Sequence, residues 1–328
     1  MIKLIFIRNE ISETELRAPL IPMDVEILIF HGFEVYVESS KQRVYKDIEY
    51  ALKGAKITMK KWFDPMFKHA IIIGLKELTD LHFLDNHTHV YFSHCFKKQL
   101  RAEKVLSAFH RSNSKLYDFE YFKVNNKRVT TFGMYAGIIG CCVGLMQFKC
   151  KRSTGNNITN LSPFKNMNQI LKRSRCLTDV PKINIMGPFG NVGLGVRCLL
   201  DNLGIPYTHN DVCFDKYDIV FNCINLHPIY NQTWISHKTK ISKQLLICDI
   251  SCDYNKSNNP IKIYNSPTTW KDPVYSFDDY IDIIAINNLP SLLPKESSAY
   301  FSNNFLCLLL SYHNYVWDDC IQFFDNLK

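Results

Sequence analysis

The chain contains no Cys-x-x-Cys pair and no set of ligands at zinc spacing, although it carries twelve cysteines. That sets aside a structural zinc site and a thioredoxin-like redox motif. Cys198, Cys223, Cys248 and Cys307 lie inside apolar runs, where a thiol acts as a small buried hydrophobe, so reduced core cysteines are expected rather than a disulfide framework. No long block of Lys and Arg occurs either, and the net charge of +8 is spread along the sequence. With no RRM, KH, zinc-finger or basic-zipper pattern beside it, that charge fits acidic small molecules, and no nucleic-acid partner is expected. No apolar run is long enough to cross a bilayer. The longest, Tyr135 to Phe148, falls short, and the start, Met1-Ile-Lys-Leu-Ile-Phe-Ile-Arg8, is charged too soon for a signal peptide. The last residues, Asn326-Leu-Lys328, form no peroxisomal signal, so a cytoplasmic monomer with no membrane partner is expected. Charged residues are only 21% and apolar residues 46% of 328 positions, which suits two ordinary folded domains.

What is present reads as strands alternating with helices. Lys3 to Arg8 is β-rich, Pro22 to Phe30 has helical spacing and stops at Gly32, and Phe33 to Glu38 alternates as a strand. A short helix over Asp47 to Lys53 follows, then strands at Ala70 to Ile73, Val90 to Ser93, Lys115 to Phe119 and Arg128 to Phe132. From Tyr135 to Phe148 small residues dominate, which suggests a helix packed closely and leading into a second domain. After a polar stretch with a short helix near Met167 to Leu171, strands recur at Lys182 to Met186, Asp218 to Asn222, Gln244 to Ile250 and Asp282 to Ile286. The chain is helical from Ser291. This is the pattern of an α/β protein with two Rossmann-like domains, parallel sheets and an inter-domain cleft. We expect residues 1–134 in the first domain, completed by a C-terminal helix over 313–328, and residues 135–312 in the second.

Polar residues cluster just past the strand ends. Gly74-Leu-Lys-Glu77 follows Ile71-Ile-Ile73, Ser93-His-Cys95 follows Val90-Tyr-Phe92, and Glu120 closes the strand containing Leu116 to Phe119. In the second half, Ser251-Cys-Asp253 follows Leu245 to Ile250, and Asn287-Asn288 follows Ile283 to Ile286. Ligands of open α/β sheets bind beyond the carboxyl ends of the strands. Taken singly, Lys76 and Glu77 fit an exposed loop pair, His94 a structural histidine and Glu120 a backbone cap. Together on one edge, a Lys, a His and a Glu in a desolvated cleft can shift one another toward neutrality, as acid–base chemistry requires.

The segment Gly187-Pro-Phe-Gly-Asn-Val-Gly-Leu-Gly195 lies between a strand and the helical run Val196 to Leu200, the context of a dinucleotide fingerprint. Its spacing is not the strict G-x-G-x-x-G, and a structural βα turn reads nearly as well. An acid roughly twenty residues on would bind the adenosine ribose. Asp211 is the candidate, with Asp215 close behind.

Several of these segments resemble the saccharopine dehydrogenase family that forms L-lysine, within the alanine dehydrogenase and transhydrogenase superfamily. The resemblance lies in Ile71-Ile-Ile-Gly-Leu-Lys-Glu77, Ser93-His-Cys-Phe-Lys97, Leu116-Tyr-Asp-Phe-Glu120 and Phe132-Gly-Met-Tyr-Ala-Gly137. It continues in Asp249-Ile-Ser-Cys-Asp253, Asn259-Pro-Ile-Lys-Ile-Tyr264 and Leu289-Pro-Ser-Leu-Leu-Pro-Lys-Glu296, in order along nearly the whole chain. It implies an NAD-dependent oxidoreductase that interconverts saccharopine, NAD+ and water with lysine, 2-oxoglutarate and NADH, the last step of lysine biosynthesis by the aminoadipate route. In that setting Lys76 is the general base and His94 the general acid, with Glu77 and Glu120 tuning them. The substrate contacts implied are Arg17, Lys76, Gln99, Arg128, Phe132, Ser251, Cys252 and Asp253. The cofactor contacts implied are Lys127, Gly190, Asn191, Asp211, Asn225, Ile250, Ile286, Asn287, Asn288 and Leu289. No metal is expected.

The chain departs from the family pattern on the cofactor side. Asn287-Asn288 stand where the family has Asp-His, Asn191 where it has Arg, Lys127 where it has Arg and Asn225 where it has Tyr, and the stretch between Gly204 and Asp218 is shortened. These departures keep open a second reading, a non-catalytic homologue that binds an amino-acid ligand or a partner. Another amino-acid dehydrogenase of the same fold fits less well, because the Ser-His-Cys and Leu-Pro-Ser-Leu-Leu-Pro segments point away from it.

Overall fold

The computed structural model describes residues 3–95, 101–175, 179–226, 229–254, 256–312 and 314–327. It divides into two compact units, one running to Thr131 and resuming at Pro294, the other Phe132–Leu293.

The first unit is built on β1 (Lys3–Ile7), α1 (Pro22–Phe30), β2 (Phe33–Glu38), α2 (Asp47–Ala51), β3 (Lys56–Thr58), β4 (Ile71–Ile73), β5 (Thr88–Tyr91), α3 (Ala102–Arg111) and β6 (Lys115–Asp118). Its six strands lie in the order β3-β2-β1-β4-β5-β6, all parallel. The central strands β1 and β4 carry the unbroken apolar runs Ile5-Phe6-Ile7 and Ile71-Ile72-Ile73, all buried, as a strand covered on both faces requires. Helix α1 starts on Pro22 and its chain turns at Gly32, whose φ of 83° is left-handed. Helix α3 was not among the expected elements, yet its buried Ala102, Val105 and Phe109 recur at helical spacing.

Two expectations need correction here. The stretch Arg128 to Phe132 does not join the main sheet. Lys127–Arg128 (β8) instead pairs antiparallel with Lys123–Val124 (β7). Between them, Asn125 and Asn126 have φ of 50° and 59°, the two left-handed residues that a two-residue hairpin turn demands. Residues 294–312, expected in the second domain, belong to the first unit. The reason lies in α7 (Pro294–Leu310), where Ser298 and Ser302, one turn apart, accept the Ala18 and Ile21 amides at 2.9 Å each. The final helix, α8 (Tyr315–Asp325), also belongs to this unit, and its Trp317 and Phe324 are buried.

The second unit opens with α4 (Gly133–Thr154) and continues through α5 (Met167–Ser174), β9 (Ile183–Met186), α6 (Asn191–Leu203), β10 (Tyr207–His209), β11 (Ile219–Asn222), β12 (Leu245–Asp249), β13 (Tyr275–Ser276) and β14 (Ile281–Ile284). Its sheet has the order β10-β9-β11-β12-β14-β13, parallel except for the β13–β14 pair. The edge strands β10 and β13, like β3, are short and partly exposed, so they carry little of the apolar signal that marks a strand in sequence. Helix α4 is long and apolar enough by composition to cross a membrane, but its residues 137–148 are all buried within this unit. Cys223 and Cys248 are buried as expected, whereas Cys307 is exposed and Cys198 half-buried, because both lie on outward positions of helices.

The small residues of α4 let backbones approach. A Cβ on Gly137 would fall 2.0 Å from the Val192 carbonyl oxygen of α6, and one on Gly195 would fall 2.0 Å from that of Met134. Gly137→Ala is therefore expected to lose about 1–3 kcal/mol of stability through overpacking, despite a helix-propensity gain of roughly 1 kcal/mol. Urea unfolding reads this directly, and an unchanged midpoint would contradict the close approach.

Candidate active site

In the first unit the strand order reverses between β1 and β4, and such switch points open a crevice beyond the carboxyl ends of the strands. The chain leaving β1 carries Arg8 to Arg17, and the chain leaving β4 carries Gly74 to Glu77. At the centre is Glu15, 1% exposed. Its carboxylate accepts Arg17 Nε at 2.7 Å and Nη2 at 2.5 Å, a fork-on-fork pair, and lies 3.7 Å from the Lys76 ammonium. Glu15 was missed in the sequence, where it is one of three glutamates between Arg8 and Arg17.

Burial acts to raise the Glu15 pKa, but the charge and hydrogen bonds of Arg17 and the charge of Lys76 outweigh it and hold the group below its ordinary value. Lys76 is pushed below its ordinary value by burial first and by the Arg17 guanidinium second, with Glu15 and Glu10 opposing. Its side chain is still 37% exposed, so a lysine whose pKa is lowered still reaches solvent. Beside it, a small cavity lined by Arg8, Asn9, Glu10, Glu15, Arg17, Pro19, Ser40 and Arg43 has room for about one water molecule.

The next two strands place His94 and Glu120. His94 has a left-handed φ of 56° within a turn tied down by the fully buried Asp118. That carboxylate accepts Ser93 Oγ at 2.6 Å and the Glu120 amide at 2.8 Å, so one group fixes the chain on either side of the site. Burial raises the Asp118 pKa, and the hydrogen bonds from Ser93 and the Glu120 amide oppose it. Glu120 pairs with Arg128 at 3.4 Å, and Glu77 pairs with Arg101 at 3.8 Å on the surface. Lys127 is exposed on the β7–β8 hairpin, and Gln99 lies outside the described residues.

In the second unit the switch point falls between β9 and β11. Every strand but β13 runs the same way, so Gly187, Asn210, Asn225, Ser251 and Asn287 emerge at one edge. Gly187 has a φ of 79° and donates its amide to Asn210 Oδ1 at 3.1 Å. A Cβ on Gly193 would fall 2.3 Å from the Gly187 carbonyl oxygen, so the turn is tight, whereas one on Gly190, at the N-terminus of α6, would meet nothing within 4 Å. Open space at Gly190, the N-cap of a 13-residue helix, leaves room for an anionic group such as a pyrophosphate, and Asn191, exposed in the first turn, follows it.

Asp211 follows β10, as an adenosine-ribose acid should, but its carboxylate accepts the Tyr217 hydroxyl at 2.6 Å and the Cys213 amide at 2.9 Å, and the Tyr217 bond leads in holding it down to about 2. Asp215 holds Ser242. Asn210, one residue earlier, makes the link to the glycine turn and was missed. Asn287 and Asn225 are exposed at the edge, whereas Asn288 is buried and accepts Trp270 Nε1 at 3.1 Å. The side chains of Ile250, Ile286 and Leu289 are in the core, and Phe132 is buried where it caps α4.

Ser251, Cys252 and Asp253 follow β12 in a turn organised by Asp249. This carboxylate, 1% exposed, accepts Asn222 Nδ2 at 2.9 Å, the Cys252 amide at 3.0 Å and the Tyr264 hydroxyl. Ser251 Oγ donates to the Ile224 carbonyl at 2.6 Å, and Asp253 pairs with Lys256 at 2.8 Å. The segments Asp249 to Asp253 and Asn259 to Tyr264, separated by a short loop, thus meet at one carboxylate.

Known proteins resemble this chain in sequence and in fold. Residues 6–139 match the family described as alanine dehydrogenase/PNT, N-terminal domain. The saccharopine dehydrogenase (NAD(+), L-lysine-forming) of Candida albicans is 31% identical over 98% of this chain and 96% of its own length. The protein of the same name from Candida glabrata is 33% identical over 92% of this chain and 89% of its own. The chain belongs to the saccharopine dehydrogenase (NAD(+), L-lysine-forming) family. In fold it is similar to an L-alanine dehydrogenase structure, with a TM-score of 0.70 and 14% identity over 97% of this chain and 94% of that one. The family's segments are thus seen as structural joints: Ile71 to Glu77 carries Lys76, Leu116 to Glu120 holds the His94 turn through Asp118, and Asp249 with Tyr264 builds the Ser251 turn.

Burial pushes the Asp249 pKa up from 3.8 to about 6. The folded unit then binds a proton more tightly than the unfolded chain, so this group's contribution is fully present below its unfolded pKa and is lost as pH rises through the folded one. The expected difference across that window is about 3 kcal/mol. Asp249→Asn should remove this component, seen as a smaller gain in unfolding midpoint between about pH 6 and about pH 4. Equal pH dependence in both proteins would contradict the assignment.

Proposed function

We propose that this protein is an active saccharopine dehydrogenase, interconverting saccharopine, NAD+ and water with L-lysine, 2-oxoglutarate, NADH and a proton. The observation that carries this reading is the Glu15 carboxylate clasping both Arg17 and Lys76 at the switch point of the first unit. Saccharopine carries three carboxylates, and guanidinium forks are their natural readers. Arg17, oriented by Glu15, and Arg128, held by Glu120, supply two forks.

When bound, NAD+ accepts hydride from the substrate carbon that bears the secondary amine. Gly187, Gly190, the first turn of α6, Asn191, Asn225 and Asn287 would hold it. Lys76, whose pKa is lowered, takes the proton from the substrate nitrogen, releases it to solvent as the proton of the overall reaction, and then takes one from the water that adds to the imine. His94 gives a proton to the carbinolamine nitrogen and takes the hydroxyl proton as the carbonyl forms, and the departing lysine amine takes up the proton held on Lys76. Glu15 stabilises Lys76 in its protonated state after each transfer. A cytoplasmic location belongs to the same proposal, in keeping with a family of small-molecule enzymes.

The second reading, a non-catalytic homologue that binds an amino-acid ligand or partner, draws on Asp211 and Asn288, whose side chains are engaged by Tyr217 and Trp270. One assay separates the two. NADH oxidation that requires both lysine and 2-oxoglutarate is expected from the purified protein. A folded sample that neither turns over nor binds NADH would favour the second reading. Lys76→Met is expected to lower turnover by about 10²- to 10⁴-fold while leaving NADH affinity nearly unchanged, and near wild-type turnover would remove Lys76 from the mechanism.

A further inference from the structure

The main chain around Lys76 is held by two buried charges that the mechanism above does not use. Glu10, 6% exposed, accepts the Leu75 amide at 2.6 Å on one carboxylate oxygen and the Lys76 amide at 3.1 Å on the other. Arg8, 5% exposed, donates through Nη2 to the Lys76 carbonyl, and it lies 3.9 Å from Glu10. The chain just before is anchored to the sheet, with Gly74 donating to the Val90 carbonyl at 3.0 Å and Leu75 accepting the Phe92 amide at 3.3 Å. Arg8 can cross here only because residue 74 is glycine, since a Cβ there would fall 1.9 Å from Arg8 Nε. Burying two opposite charges to satisfy three backbone atoms costs desolvation that water-exposed loop amides would not incur. Such hydrogen bonds are stronger and more directional than neutral ones, so the return is a fixed backbone.

We propose that Glu10 and Arg8 are positioning residues that fix Lys76 for proton transfer by clamping its peptide groups from both sides, a role that rests on the base function given to Lys76 above. The clamp acts on the backbone. It leaves the ammonium to Glu15 and sets where that ammonium sits. Glu10 also adds negative charge near Lys76, which favours the protonated amine.

The test uses the full chain, with Glu10→Gln and Glu10→Asp compared with wild type in two readouts. The first is steady-state turnover of lysine, 2-oxoglutarate and NADH. The second is the pH midpoint of Lys76 acetylation by an amine-reactive anhydride, read by mass spectrometry, which needs no activity. Glu10→Gln should lower kcat about ten- to a hundredfold with KM for lysine and NADH affinity little changed, and should move the acetylation midpoint to lower pH. Glu10→Asp keeps the charge but cannot span both amides, so kcat should fall while the midpoint stays. Should either variant fail to fold, Arg8→Lys replaces it, with the kcat loss expected. Unchanged kcat and midpoint in folded Glu10→Gln would overturn the proposal. So would a loss that matches the unfolded fraction while the midpoint of folded molecules is unmoved. If wild type turns over nothing, the functional reading falls, and the acetylation midpoints alone decide whether Glu10 acts on Lys76.

Discussion

The pairing of Arg17 and Lys76 in the first unit depends on one buried carboxylate. Glu15 is almost fully buried, and its ionised form is favoured because Arg17 grips both its oxygens and Lys76 stands 3.7 Å away. Without that negative charge, a guanidinium and an ammonium would share a poorly solvated crevice, and removing one partner of a buried ion pair costs about 3–5 kcal/mol. The arrangement gives two outcomes that an unpaired lysine could not combine. Arg17 is held in one orientation, and Lys76 has a lowered pKa while keeping a nearby anion that stabilises its protonated state.

The second unit meets a different constraint, the close approach of backbones. Gly137 and Gly195 let α4 and α6 touch through their main chains, and Gly193 folds the turn back on Gly187. The one glycine in that turn with open space is Gly190, so the turn leaves room there and serves close packing at the others. Asp249 serves the neighbouring turn as Asp118 serves the His94 turn. Each is a buried carboxylate whose oxygens collect donors from chain segments that the sequence keeps apart.

The central strands and the residues just beyond them were legible because unbroken apolar runs such as Ile71-Ile-Ile73 end abruptly in polar text, which places Lys76, His94, Ser251 and Asn287 at strand ends from the sequence alone. The partners of those residues were not legible. Glu10 acts on residues 65 and 66 positions away, and nothing local separates it from Glu13 or Glu15. The affiliation of α7 was hidden because it rests on two serine hydroxyls reaching back some 280 positions to Ala18 and Ile21. The hairpin at Asn125-Asn126 was written in the sequence, but the β-rich residues after it suggested a longer strand. Asp211 had the right spacing for a ribose contact, and only the fold reveals that Tyr217 occupies it.

The most direct test of the account is the ionisation of Lys76 in the wild-type protein, followed by NMR of lysines labelled at Cε and assigned with a Lys76→Arg variant. The account predicts titration clearly below the ordinary lysine value of 10.5. A midpoint at or above that value would mean that Glu15 outweighs burial and Arg17, and the general base would have to be sought elsewhere.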